Sequence, residues 1–76
     1  MTNLTSREFG KYIKRKRLDR KWTQERLADE TNMDEKYISK LENGKKDPRW
    51  STIAKVVQAL DLPSIDIKEM LEKDRT

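Results

Sequence analysis

The sequence predicts an all-α fold, a compact arrangement of five short helices in a single domain. Three observations predict it. Apolar residues recur at the three- and four-residue spacing of helices. Helix-capping residues stand where these stretches begin or end. No stretch alternates apolar and polar residues as a half-buried strand does. With 76 residues, the chain is long enough for one domain with one core, over residues 1–76.

Helix one is predicted to begin after Thr5 and to run to about Arg20. Thr5 and Glu8 have the spacing of a capping box, in which each side chain accepts a backbone N–H hydrogen bond. The inward stripe of this helix consists of Phe9, Ile13 and Arg17. Arg17 therefore occupies a place where an apolar residue is expected.

Two short helices joined by a tight turn come next, from Gln24 to Thr31 and from Asp34 to Asn43. Thr23 and Asp34 are their predicted N-caps. Asn32 is expected to make the turn, because asparagine tolerates left-handed backbone better than most residues. The inward side chains are Leu27, Ala28, Thr31, Met33, Ile38 and Leu41. Such a pair is a helix-turn-helix, and the small Ala28 lets its helices cross closely.

The rest of the chain is predicted to form two more helices. Gly44 ends helix three as a C-cap, and a fourth helix follows Pro48. Its apolar residues at helical spacing are Trp50, Ile53, Val56, Val57 and Leu60. Pro63 ends it, and a fifth helix is expected over residues 64–73. That helix carries Ile65, Ile67, Met70 and Leu71, more apolar side chains than one short helix needs. We expect some of them at a homodimer contact, and packing under helix four is the alternative.

The composition excludes most catalytic and metal sites. The chain has no Cys and no His, so disulfides, Cys/His metal sites and catalysis by imidazole or thiolate are ruled out. Its two glycines lie far apart, which rules out a Gly-rich phosphate loop. We therefore predict no enzyme, no metal and no cofactor. No apolar run approaches the ~18 residues of a membrane span, and we expect a cytoplasmic protein with no membrane partner.

The charge is concentrated in two places. The net charge is +4, yet residues 11–21 alone hold seven basic residues against the single Asp19. A second basic cluster consists of Lys45, Lys46 and Arg49. This asymmetry favours a polyanionic partner such as a nucleic acid, and an ordinary solvated surface is the alternative.

Three segments in order resemble a known family. The segments are Thr-Gln-Glu-Arg-Leu-Ala from Thr23, Tyr-Ile-Ser-Lys-Leu-Glu-Asn-Gly-Lys from Tyr37, and then Pro48. They are similar to the lambda-type repressor and Cro proteins, the XRE family, over a helix-turn-helix core of residues 9–62. The resemblance implies a compact lambda-repressor-like DNA-binding domain. Asn32 departs from the glycine usual in the family, and it can adopt the same backbone.

The resemblance also implies roles for single residues. Base reading would fall to Glu35, Lys36, Tyr37 and Lys40. Lysines would reach guanine, and Glu35 would accept from cytosine or repel phosphates. For Glu35 and Tyr37 an ordinary solvated role is equally open. Phosphate binding would fall to Thr23, Gln24, Asn43, Lys45, Lys46 and Arg49. Arg49 would enter the minor groove or remain a plain surface residue. Arg17 and Glu42 would form a semi-buried structural ion pair.

These expectations describe a sequence-specific transcriptional regulator, bacterial or phage-encoded. It would bind a double-stranded DNA operator as a homodimer and act by occupancy, blocking RNA polymerase or contacting it. Two alternatives remain. One is a protein-interaction module of the same fold, an antitoxin or adaptor with little sequence-specific DNA binding. The other is an RNA-binding helical domain, which the shortage of exposed aromatic pairs disfavours.

Overall fold

Four helices make up residues 6–63, the part of the chain that the computed structural model describes. They are α1 (Ser6–Asp19), α2 (Gln24–Thr31), α3 (Glu35–Glu42) and α4 (Trp50–Leu60). These residues contain no strand, so the all-α class is confirmed. The predicted Thr5 cap and the fifth helix over residues 64–73 lie outside the described residues.

The N-termini of α2 and α3 begin as predicted. The Thr23 hydroxyl accepts a hydrogen bond from the backbone N–H of Arg26 at 2.9 Å. The Asp34 carboxylate accepts one from the backbone N–H of Lys36 at 2.7 Å. Each bond satisfies one of the N–H groups that a helix N-terminus leaves without an intrahelical partner.

All four described helices end in the same way. The first or second residue after each helix takes a left-handed backbone, with φ between 50° and 74°: Lys21, Asn32, Gly44 and Asp61. The next N–H then bonds to the carbonyl five residues back, as Met33 does to Ala28 at 2.9 Å. This is the Schellman motif, which caps the last carbonyls and turns the chain sharply. The predicted turns at Asn32 and Gly44 are confirmed.

A single apolar core lies between the four helices. It consists of Phe9, Ile13, Leu27, Ala28, Ile38, Leu41, Ile53, Val56, Leu60 and Leu62. Met33, which was predicted to face inward, and Trp22 are half-buried against it. Trp50 is not in the core, because 68% of it is exposed. It is the first residue of α4 and lies beyond the edge of the core, which Thr52 and Ile53 close at that end.

The backbones of α1 and α3 approach each other closely at Gly10. A Cβ atom there would overlap the carbonyl oxygen of Leu41 and lie 2.8 Å from that of Glu42. The backbone of α1 therefore lies directly against the last turn of α3, and only glycine fits. This contact fixes the direction of α3 relative to α1.

Candidate nucleic-acid interface

The α2–α3 pair forms a helix-turn-helix with one outward face. Ala28 of α2 is buried, with 3% of it exposed. Its small side chain lets α3 cross close by. Ile38 and Leu41 of α3 are buried in the angle between the helices. Because these residues hold one side of α3 against the core, the opposite side faces solvent.

Three side chains of α3 are exposed: Glu35 in its first turn, and Lys36 and Lys40, which are four residues apart and lie on that outward side. None of them forms a side-chain hydrogen bond or ion pair with another residue in 6–63. Their charged ends are therefore available to an external partner. Lys36 and Lys40 therefore share the outward side, and Glu35 is exposed at the start of the helix; base reading by all three stays a prediction.

Tyr37 lies apart from them. It is half-buried, and its hydroxyl is 3.2 Å from the Thr52 hydroxyl of α4. Its ring therefore lies on the side of α3 that faces α4. Base contact by Tyr37 stays a prediction, and the hydrogen bond to Thr52 gives the side chain a structural role in addition.

A buried ion pair joins α1 to the end of α3. Arg17 donates to Glu42 through Nε at 2.6 Å and Nη2 at 2.9 Å. The two side chains are only 7% and 1% exposed. Arg17 also donates through Nη1 to the backbone carbonyl of Trp22 at 2.6 Å. A bidentate pair with a further acceptor is the geometry that makes a buried arginine tolerable.

Gln24 belongs to the same network. Its side-chain Nε2 donates to Glu42 Oε1 at 3.1 Å, so Glu42 binds both the end of α1 and the start of α2. The resemblance implied a phosphate contact for Gln24 and gave no sign of this bond, because the two residues are 18 positions apart. The network holds the first residue of α2 at a fixed place relative to α3.

The segment after α3 supplies the remaining predicted phosphate ligands. Asn43, Lys45, Lys46 and Arg49 are all exposed. The Lys45 N–H bonds to the Lys40 carbonyl at 2.9 Å, which anchors the start of this segment to α3. The Ser6 hydroxyl donates to the Asp47 carboxylate and ties the middle of the segment to α1. Lys45, Lys46 and Arg49 therefore lie on a segment that a backbone hydrogen bond anchors at Lys45 and a side-chain hydrogen bond anchors at Asp47.

Within residues 6–63, no three Asp or Glu side chains are grouped so that they could hold a metal ion. No helix of the described region is long and apolar enough to cross a membrane.

The second helix of this helix-turn-helix presents exposed charged side chains. Polar residues at the start of α2 and after α3 are held on either side of it. This arrangement is that of the helix-turn-helix DNA-binding proteins. Residues 13–67 match the family described as Helix-turn-helix, and the chain belongs to this family. The resemblance to XRE-type proteins read from the sequence is therefore confirmed. The members are DNA-binding regulators of transcription and not enzymes.

Solved structures agree with this placement. The wild-type restriction-modification controller protein C.Esp1396I is 28% identical, with 97% of this chain and 94% of that chain covered and a TM-score of 0.78. The same protein as a tetramer with its natural 35 base-pair operator is similar over 97% and 96% of the two chains, at 28% identity and TM-score 0.78. The clp gene regulator ClgR from C. glutamicum shares the fold, at 24% identity, 99% and 95% coverage and TM-score 0.79. No curated protein sequence matches this chain.

Proposed function

We propose that this protein binds a twofold operator in double-stranded DNA as a homodimer and regulates transcription by occupying it. One observation carries the proposal. Glu35, Lys36 and Lys40 are exposed on α3 with no side-chain partner among residues 6–63, on a helix that a buried ion-pair network holds in place. A major groove is wide enough to admit such a helix.

Sequence discrimination would come from this exposed side of α3. Lys36 and Lys40 have the donors that guanine O6 and N7 accept. Glu35 would accept from cytosine N4, or would repel phosphates and so disfavour wrong registers. Tyr37, held beside α4 by Thr52, would touch a thymine methyl group or a phosphate at the edge of the reading surface.

Backbone contacts would come from the two ends of the motif. Thr23 and Gln24 lie at the start of α2, where backbone N–H groups and polar side chains suit a phosphate. The remaining ligands would be Asn43, Lys45, Lys46 and Arg49. Arg49 would enter the minor groove where a narrow A·T-rich segment attracts a cation. These contacts set the register and carry the salt dependence of binding.

A homodimer would place two α3 helices about 34 Å apart, one DNA turn. The dimer contact is assigned to Ile65, Ile67, Met70 and Leu71, which lie outside the described residues. The C.Esp1396I relative, which was solved as a tetramer on its operator, supports an oligomer of this kind. Bound at an operator, the dimer would block RNA polymerase or, with suitable spacing, contact it. Such a regulator acts within the cytoplasm of a bacterial or phage-infected cell.

The test is selection of binding sites from random DNA duplexes. We expect the wild-type protein to enrich a twofold sequence. Lys40→Ala should lose discrimination at one symmetric pair of base pairs, by about 1–3 kcal/mol per half-site. Lys55→Ala, which removes an exposed cation of α4, is the matched control and should enrich the wild-type sequence.

Absence of any enriched sequence would contradict the proposal and favour the interaction-module alternative. Sedimentation at tens of micromolar tests the dimer separately. A protein that is monomeric both alone and on an enriched duplex would contradict the twofold arrangement.

A further inference from the structure

The left-handed residue that follows α1 is of a different type from the left-handed residues that follow the other three helices in residues 6–63. Lys21 takes the left-handed backbone with φ 60°, whereas the equivalent residues are Asn32, Gly44 and Asp61. Asn, Asp and Gly adopt this backbone readily, while a side chain such as lysine is strained there. Glycine at position 21 would therefore suit folding better than lysine does.

Lys21 stands among cations that are held in place. The Arg20 and Arg26 guanidinium carbons lie 5.7 Å and 4.5 Å from the centre of the Trp22 ring. Arg26 is also 2.9 Å from the Glu30 carboxylate. Cation–π contact restrains both arginines at the surface. We call Arg20, Lys21 and Arg26 the Trp22 cation cluster; all three are exposed, and Lys21 makes no ion pair within residues 6–63.

The cluster also has a fixed position relative to the reading helix. The Trp22 carbonyl accepts a hydrogen bond from Arg17, and Arg17 pairs with Glu42 at the end of α3. The cluster is therefore joined to α3 through a part-buried hydrogen bond and a buried ion pair, next to the start of α2. If α3 binds a DNA duplex as proposed, cations held beside it can bind the regularly spaced phosphates of that duplex.

We propose that the Trp22 cation cluster binds DNA phosphates flanking the base pairs that α3 reads, and that Lys21 keeps its strained backbone because of this contact. The inference rests on the proposed DNA-binding function. It adds three phosphate ligands to those assigned above: Arg20 and Lys21 from the turn between α1 and α2, and Arg26 from α2. The rival explanation is that Lys21 only stabilises the C-terminal end of the α1 dipole.

The experiment compares stability with the salt dependence of DNA binding in Lys21→Gly. The probe is a fluorescent random-sequence duplex, with affinity measured by anisotropy over a series of KCl concentrations and Tm by circular dichroism. We expect Tm to be unchanged or higher, because glycine relieves the backbone. Affinity should fall several-fold, and the slope of log K against log salt should become shallower by about one, the value of one lost phosphate contact. Lys21→Arg should restore the wild-type slope.

Two controls separate the local contact from general effects. Asn32→Gly makes the same backbone change without altering charge, and should leave the slope as it is in the wild type. Lys11→Gln removes an exposed cation elsewhere on α1, and should change the slope less than Lys21→Gly does. A wild-type slope in Lys21→Gly, or an equal loss in Lys11→Gln, would overturn the inference while leaving the proposed function intact. If the wild-type protein itself does not bind the duplex, the proposed function fails.

Discussion

The two parts of the helix-turn-helix that face outward are built in opposite ways. At the start of α2, Thr23 and Gln24 are bonded within the protein, to the Arg26 N–H and to Glu42. On the outer side of α3, Lys36 and Lys40 have no partner within residues 6–63. The side chains of the first region are held by hydrogen bonds in the free protein. Those of the second region have no such restraint, and bound DNA would order them. In the proposed function, the fold determines the position of the motif on DNA, and side chains that folding does not use determine the sequence preference.

Removal of Glu42 should have the largest effect on the restrained region. Glu42→Ala would leave Arg17 buried without its carboxylate and Gln24 without its acceptor, a loss of about 3–5 kcal/mol. For a domain of this size, Tm should fall by roughly 15–30 °C in circular dichroism melts. The double variant Arg17→Met/Glu42→Leu should recover much of the loss, because an apolar pair removes the unpaired charge. An unchanged Tm in Glu42→Ala would show that the network does not hold the fold.

Gln24→Ala tests whether the restrained region also serves DNA. Loss of the hydrogen bond to Glu42 should cost about 1 kcal/mol, or roughly 4–8 °C in Tm. If Gln24 also binds a phosphate, duplex affinity measured at a temperature where the variant is fully folded should fall as well. A lower Tm with wild-type affinity would confine Gln24 to the ion-pair network.

Thr23 offers the smallest and most selective change. Thr23→Ala removes the cap of α2 and should cost about 1 kcal/mol. Thr23→Asp restores a capping oxygen and should regain the wild-type Tm. It also places a negative charge at a predicted phosphate contact, so duplex affinity should fall below that of Thr23→Ala. Equal affinities for the two variants would mean that Thr23 is a helix cap and nothing more.

Helix caps and left-handed turns could be predicted from the sequence, because each depends only on residues close together along the chain. Caps at Thr23 and Asp34 and the left-handed turns at Asn32 and Gly44 are of this kind. The pairing of Arg17 with Glu42 spans 25 positions and was reached only through the family resemblance.

The features that escaped prediction depend on tertiary packing. Helical spacing places Trp50 in line with Ile53, but spacing does not show where the core ends, and Trp50 lies beyond it. The bond from Gln24 to Glu42 exists only because α2 and α3 cross as they do. The lysine at position 21 gives no sign in the sequence that its backbone is left-handed, since that state usually belongs to Gly, Asn or Asp.

The close approach at Gly10 limits how the domain could be re-engineered. A chimera that grafts a different first helix onto this protein would need glycine at position 10, since any side chain there would meet the Leu41 and Glu42 carbonyls. A helix without it would tilt the last turn of α3 and change the direction in which Lys40 points. If α3 reads the operator as proposed, new operator preferences should be introduced on α3 itself, because exchanging whole helices would disturb the alignment that α1 imposes.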